Sequence, residues 1–213
     1  MKKATCIYML ILLACSAILL TSCASPERLD LTSDQTHKLC KTYEKDVEWI
    51  KLGAIQPSIR ELEKGIESLN KSQGMCFCSF EITDVEFIKK LDNDYYQFKL
   101  TATISHSHIG DLKKGQKFTK YITQSNADAG SLIGKQYITF LQFEAPLAKN
   151  QHVTIWNYWT FLICEDSTLV SPFGCSIEED AQDLGIALDS RNYTGQKLDY
   201  FIDVVKRLDT ENK

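Results

Sequence analysis

The chain has 213 residues, with 24 Lys and Arg against 28 Asp and Glu, a formal charge of -4. That length suffices for one compact domain with a real core. The acidic balance argues against generic nucleic-acid binding, which needs a cationic footprint, and against electrostatic attachment to anionic lipid.

Lys2 and Lys3 open the chain, an uncharged apolar run covers Cys6 to Leu20, and the small residues Thr21 and Ser22 precede Cys23. The run is too short and too abruptly ended for a spanning helix, and reads as an export signal. Leu20-Thr21-Ser22-Cys23 resembles a bacterial lipobox. The resemblance implies residues 1–22 as a signal peptide, cleavage after Ser22, and diacylation of Cys23 with palmitate-type chains. The bland alternative is an ordinary signal peptide with a chance cysteine, or an uncleaved anchor. Two acyl chains anchor stably, since each buried CH2 contributes about 0.8 kcal/mol. Ala24, where an Asp would hold the chain back, implies the outer membrane of a two-membrane host; a single-membrane host would keep it on the plasma membrane. Lys2 and Lys3 leave with the signal, so 22 basic residues face 28 acidic ones and the charge becomes -6.

Residues 23–33 are polar, with Pro26 and Thr32-Ser33, and read as a tether whose ten residues after Cys23 reach at most about 30 Å. The body is then a single domain over 34–213, helical over 34–74, β over 75–165 and helical over 176–209. Leu39, Tyr43, Val47 and Ile50 recur at helical spacing, and Gly53 ends that helix. Pro57 and Ser58 open a second one, with Ser58 to Glu61 as a capping box and Ile59, Leu62, Ile66 and Leu69 as its apolar stripe.

From Met75 the period becomes two. Phe80 and Ile82 share a parity that Val85 and Phe87 do not, which predicts a bulge near Thr83-Asp84. Leu91 to Asp94 is a turn. Tyr96, Phe98, Leu100, Ala102 and Ile104 line one face of the next strand. Phe118, Lys120 and Ile122 mark a third strand, Lys135 to Phe143 a fourth and Val153 to Cys164 a fifth, apolar on both faces and so central. Helices over Ser176–Leu188 and about Thr194–Leu208 close the chain. The predicted fold is α+β, a five-stranded OB-like Greek-key barrel; the alternative is an open antiparallel sheet with helices on one face.

Five cysteines remain in the mature body, so at most two bridges form and one thiol is left over. An oxidising compartment favours pairing. Cys164 and Cys175 flank a turn-rich loop and make the first expected bridge; Cys40 with Cys76 or Cys78 is the second. Cys76-Phe77-Cys78, Lys114-Gly115, Gly134-Lys135-Gln136-Tyr137-Ile138, the long aromatic strand, Cys164, Pro172-Phe173 and Cys175 occur in an order similar to the netrin-like module shared with tissue inhibitors of metalloproteinases. That resemblance spans roughly residues 76–205 and implies a disulfide-braced OB-type barrel used for binding. Those inhibitors chelate a target zinc through a free N-terminal cysteine amine. Cys76 is internal and an acylated Cys23 lacks that amine, so the inhibition mechanism does not carry over.

Three groups carry candidate chemistry. In a strand the sulfurs of Cys76 and Cys78 share one face, for a soft metal or a redox pair, against a plainer reading as two half-cystines. His106 and His108 likewise share a face and, with Asp111, would hold zinc or copper; the plain reading is a polar strand end. Trp156 and Tyr158 form a binding patch if outward, and core otherwise. No Gly-x-Ser-x-Gly, His-Glu-x-x-His or phosphate-cradling loop occurs. The sequence therefore reads as a membrane-anchored, non-enzymatic envelope module without a required cofactor, binding an unidentified envelope protein or ligand. The alternatives are an exported metal-binding protein and a hydrolase with dispersed carboxylates.

Overall fold

The computed structural model describes residues 26–52, 62–71, 75–92, 94–143, 153–155, 159–175 and 193–213. The lipobox, the proposed second capping box, the patch residues Trp156 and Tyr158 and the helix expected over Ser176–Leu188 lie outside them.

Helix α1, Ser33–Thr42, starts on a capping box that the tether reading passed over. The Gln35 amide N–H donates to Thr32 Oγ1 (3.3 Å), and the Thr32 N–H donates to Gln35 Oε1 (2.9 Å). The helix breaks at Tyr43, whose N–H reaches back to Leu39 and Cys40, and resumes as α2, Glu44–Leu52. Helix α3 is Leu62–Lys71.

The strands are β1 (Met75–Lys90), β2 (Tyr96–Ile109), β3 (Lys117–Gln124), β4 (Gln136–Phe143), β5 (Val153–Ile155), β6 (Phe161–Ile163) and β7 (Leu169–Val170); short 3-10 turns occupy Gly130–Leu132 and Pro172–Cys175, and α4 is Leu198–Glu211. They form one antiparallel sheet in the order β3-β2-β1-β4-β6-β7, with β5 also on β4. The fold is α+β with an open sheet. Strands β3 and β5 approach each other, but among the described residues they do not pair, so the barrel is not closed.

The predicted bulge is present. Ile82 opposes Ala102 and Asp84 opposes Thr101, leaving Thr83 over. Its Oγ1 donates to the Thr101 carbonyl at 3.2 Å. The extra residue resets the parity, so Phe80, Ile82, Val85 and Phe87 face Ile104, Ala102, Leu100 and Phe98 on one side of the sheet. A second bulge, at Ile88, was not foreseen; it brings Lys90 opposite Tyr96.

The strand expected over Val153 to Cys164 is described at its two ends, Val153–Ile155 and Phe161–Ile163, and both pair antiparallel with β4. The central strand is β4 instead: Tyr137 and Thr139 on one face and Ile138 and Phe140 on the other are fully buried. Helices cover both faces, not one. Trp49 of α2 meets the Tyr137 ring edge-on (5.3 Å) and its Nε1–H donates to Tyr137 Oη (3.4 Å). Phe201 of α4 packs on Phe77 and Phe161 from the other side, because Phe77 opposes Phe140 while Phe80 opposes Tyr137.

Helix α4 starts at Leu198, four residues after the expected Thr194. A turn at Gly195 and Gln196 is held against β7: the Gly195 N–H donates to the Leu169 carbonyl (2.7 Å), and the Leu169 N–H to the Gln196 carbonyl (2.9 Å). The same turn holds the N-terminal segment. Gln196, almost wholly buried, accepts from the Leu29 N–H (2.8 Å) and donates to the Leu29 carbonyl (2.7 Å). Leu31 fills the space beside Gly195, where an added Cβ would lie 1.9 Å from Leu31 Cδ1. The body therefore begins at Leu29, not at residue 34, and the expected tether is docked over its second half.

Candidate functional site

The start of β1 and the end of β2 are neighbours, so the structure brings the Cys-x-Cys and His-x-His motifs side by side. Phe77 opposes Ile109, Cys78 opposes Ser107 and Ser79 opposes His106. The two imidazoles share a face as expected, with ring centroids 4.6 Å apart. His108 rests on the Phe77 ring (5.3 Å), and its Nε2 lies 2.9 Å from Ser79 Oγ. The thiols lie on the opposite face. Cys76 is packed so closely on the Gly110 turn that a Cβ there would sit 2.8 Å from its sulfur. Asp111 stands by Cys76: burial raises the thiol pKa, the Asp111 backbone N–H opposes that rise, and the Asp111 charge adds to it.

The sheet thus separates what the metal reading needs together. Imidazoles and thiols point apart, Asp111 sits with the thiols, and among the described residues no three His, Cys, Asp or Glu side chains gather around a common point. Burial, then His106, then Lys206 pull His108 down to about 4. It is neutral at pH 7 and holds the Ser79 hydroxyl. A base that weak draws a proton poorly, and Ser79 is buried, so the pair reads as a packed hydrogen bond more than a nucleophile and its base. Burial raises the thiol pKa values of Cys76, Cys78 and Cys164, which keeps them protonated and unreactive.

Both expected bridges fail. Cys76, Cys78 and Cys164 are free, so Cys164 is not joined to Cys175, nor Cys40 to Cys76 or Cys78. Cys40 is disulfide-bonded. The Cys164 thiol interacts instead with the Tyr43 hydroxyl at the end of α1.

A second group went unnoticed in the sequence. On the α2 side of the sheet, beyond the helix, Lys90, Tyr96 and Gln124 form one cross-strand row, and Phe87, Phe98 and Ile122 the next. Phe87 is 56% exposed and lies edge-on to the buried Phe98 ring (5.7 Å). Lys90 Nζ lies 5.7 Å from the Tyr96 ring centroid and 2.7 Å from Asp94 Oδ1. Gln124 is buried; its Nε2 donates to the Asn126 and Asp128 carbonyls, while its Oε1 has no hydrogen-bond partner among the described residues. The exposed Phe87 edge and the Lys90 cation beside the Tyr96 ring make an amphipathic contact surface, with Gln124 buried beneath it. The two bulges that set this row together were the missing signal; only that at Thr83 leaves a parity change in the sequence.

No family model matches the chain, and no curated protein matches it either.

Proposed function

We propose that the chain is an exported lipoprotein, acylated on Cys23, whose body works as a non-enzymatic binding module in the envelope. The observation that carries this reading is the disulfide at Cys40, a bond that persists in oxidising compartments, in a chain opening on an export signal and a lipobox-like tetrad. The patch of Phe87, Tyr96 and Lys90 is the surface assigned to the ligand or partner. The body is read as an OB-like barrel of the netrin-like kind, parted along its β3–β5 seam. The strand order and the approach of β3 to β5 support that reading. The protein sits on the outer membrane of a two-membrane host. No structural observation favours a metal or hydrolytic role over this one.

Two experiments test it. Cys23→Ser should abolish acylation and release the protein from membranes; unchanged membrane fractionation refutes the anchor. A photo-cross-linking residue at position 87, compared with one at Lys51 on α2, should give specific adducts in intact envelopes from position 87 alone. Equal yields from both positions, or none from either, contradict the assigned surface.

A further inference from the structure

We infer that the bilayer meets the body at one defined corner, where residues 29–31 dock on Gly195 and Gln196, and that the Lys90–Tyr96 tip points into the aqueous space. This rests on the acylation of Cys23 proposed above.

The exit point is fixed at both ends of its bonding. Gln196 clamps the Leu29 backbone through two hydrogen bonds, and its own backbone is bonded to β7. Leu31 is held beside Gly195, whose φ of +86° and missing Cβ leave room for it. The capping box at Thr32 then continues directly into α1. Residues 29–42 thus belong to the body, and only residues 23–28 remain between lipid and exit point.

Lengths decide the consequence. Six residues reach about 20 Å fully extended, and about 14 Å as a relaxed flexible chain. A body of this size has a radius of gyration of about 16 Å, hence a diameter of about 40 Å. The link is shorter than half the path around the body, so surface remote from the exit point cannot reach the lipid. The tip of the β1–β2 ribbon is such a surface. Strand β7 stands level with Glu81 of β1 through β6 and β4, and the ribbon then runs on to Lys90; with Thr83 and Ile88 bulged, that span equals the seven residues of β2 from Thr103 to Tyr96, about 23 Å at about 3.3 Å per residue. The membrane-facing corner carries the first turn of α1, with Asp34 exposed, and the partly exposed Leu29 and Leu31. The contact surface around Phe87 is thereby turned away from the membrane.

The test uses the full acylated protein in phosphatidylethanolamine–phosphatidylglycerol vesicles containing a lipid with a nitroxide at headgroup level. A fluorophore is attached at Asp34→Cys or at Asp92→Cys; both positions are exposed, whereas the free thiols among the described residues, Cys76, Cys78 and Cys164, are buried. Quenching at position 34 should exceed that at position 92 several-fold. Gln196→Ala, which unpins Leu29, should narrow the difference while circular dichroism remains native. Equal quenching at the two positions in the pinned protein overturns the orientation, and a Gln196→Ala profile like that of the parent overturns the role of the strap. Failure of the wild-type chain to float with vesicles, with no lipid mass on Cys23, overturns the anchoring itself. Flotation and mass therefore separate the two failures.

Discussion

The two halves of β1 are made of similar residues and live in different worlds. Met75 to Ile82 lies between β2 and β4, with Phe77, Cys78 and Ile82 fully buried. Thr83 to Lys90 pairs with β2 alone and is largely exposed, Phe87 included. What divides them is not hydrophobicity but the number of neighbouring strands. The free half is also defended against adding another. Bulges at Thr83 and Ile88 bend the edge, and Asp84, Glu86, Lys89 and Lys90 charge it. It can therefore display an aromatic ring without offering a flat template.

The sharpest test of that contrast is a pair of truncations. Phe77→Ala should cost about 3–5 kcal/mol, because the ring is enclosed by Phe140, Phe201 and His108. Phe87→Ala should cost less than about 1 kcal/mol, since most of its surface is already wet. Urea unfolding of both variants measures this, and equal losses would erase the distinction.

A smaller effect is expected from His108 of β2, which packs on Phe77 of the buried half. Its pKa is about 4 in the folded chain against an ordinary 6.5, so between these values the unfolded chain binds more protons. Its contribution is fully present above pH 6.5 and is lost as the pH falls towards 4. It amounts to roughly 1–3 kcal/mol, discounted for partial exposure. In His108→Gln the difference from wild type should vary with pH across that window; a constant offset would remove the titration from the account.

On the exposed half, Glu86 and Lys99 form an ion pair at 3.0 Å with both side chains near water. A double-mutant cycle to alanine should yield a coupling of about 0.5 kcal/mol or less, reduced further by salt. The smallest change in stability belongs to Lys89→Val with Lys90→Val, within about 0.5 kcal/mol. That variant should nevertheless self-associate in light scattering, because the two cations at the tip of the edge are gone. A double variant as monodisperse as the parent would assign the protection to the bulges and the two carboxylates.

Local patterns were legible and distant ones were not. The parity change from Phe80 and Ile82 to Val85 and Phe87 announced the bulge, and the alternation from Tyr96 to Ile104 gave a whole strand. The shared face of His106 and His108 follows from a spacing of two in an extended chain. That the thiols point the other way depends on the register between β1 and β2, which two further irregularities near Cys78 and Phe80 displace. The docking of Leu29 was hidden because its partner, Gln196, lies 167 residues away. The cysteine pairing failed for the same reason: Cys164 and Cys175 are close in sequence, but Cys164 faces Tyr43 of α1. The Thr32–Gln35 capping box is local, yet polar residues ahead of a helix have the same composition as a tether, so only the two hydrogen bonds distinguish them.

The intact mass of the protein extracted from its own membranes tests the central claim most directly. The account predicts a chain beginning at Cys23, with two acyl chains' worth of lipid added and the Cys40 disulfide formed. A full-length precursor starting at Met1, recovered from the soluble fraction with every thiol reduced, would contradict it.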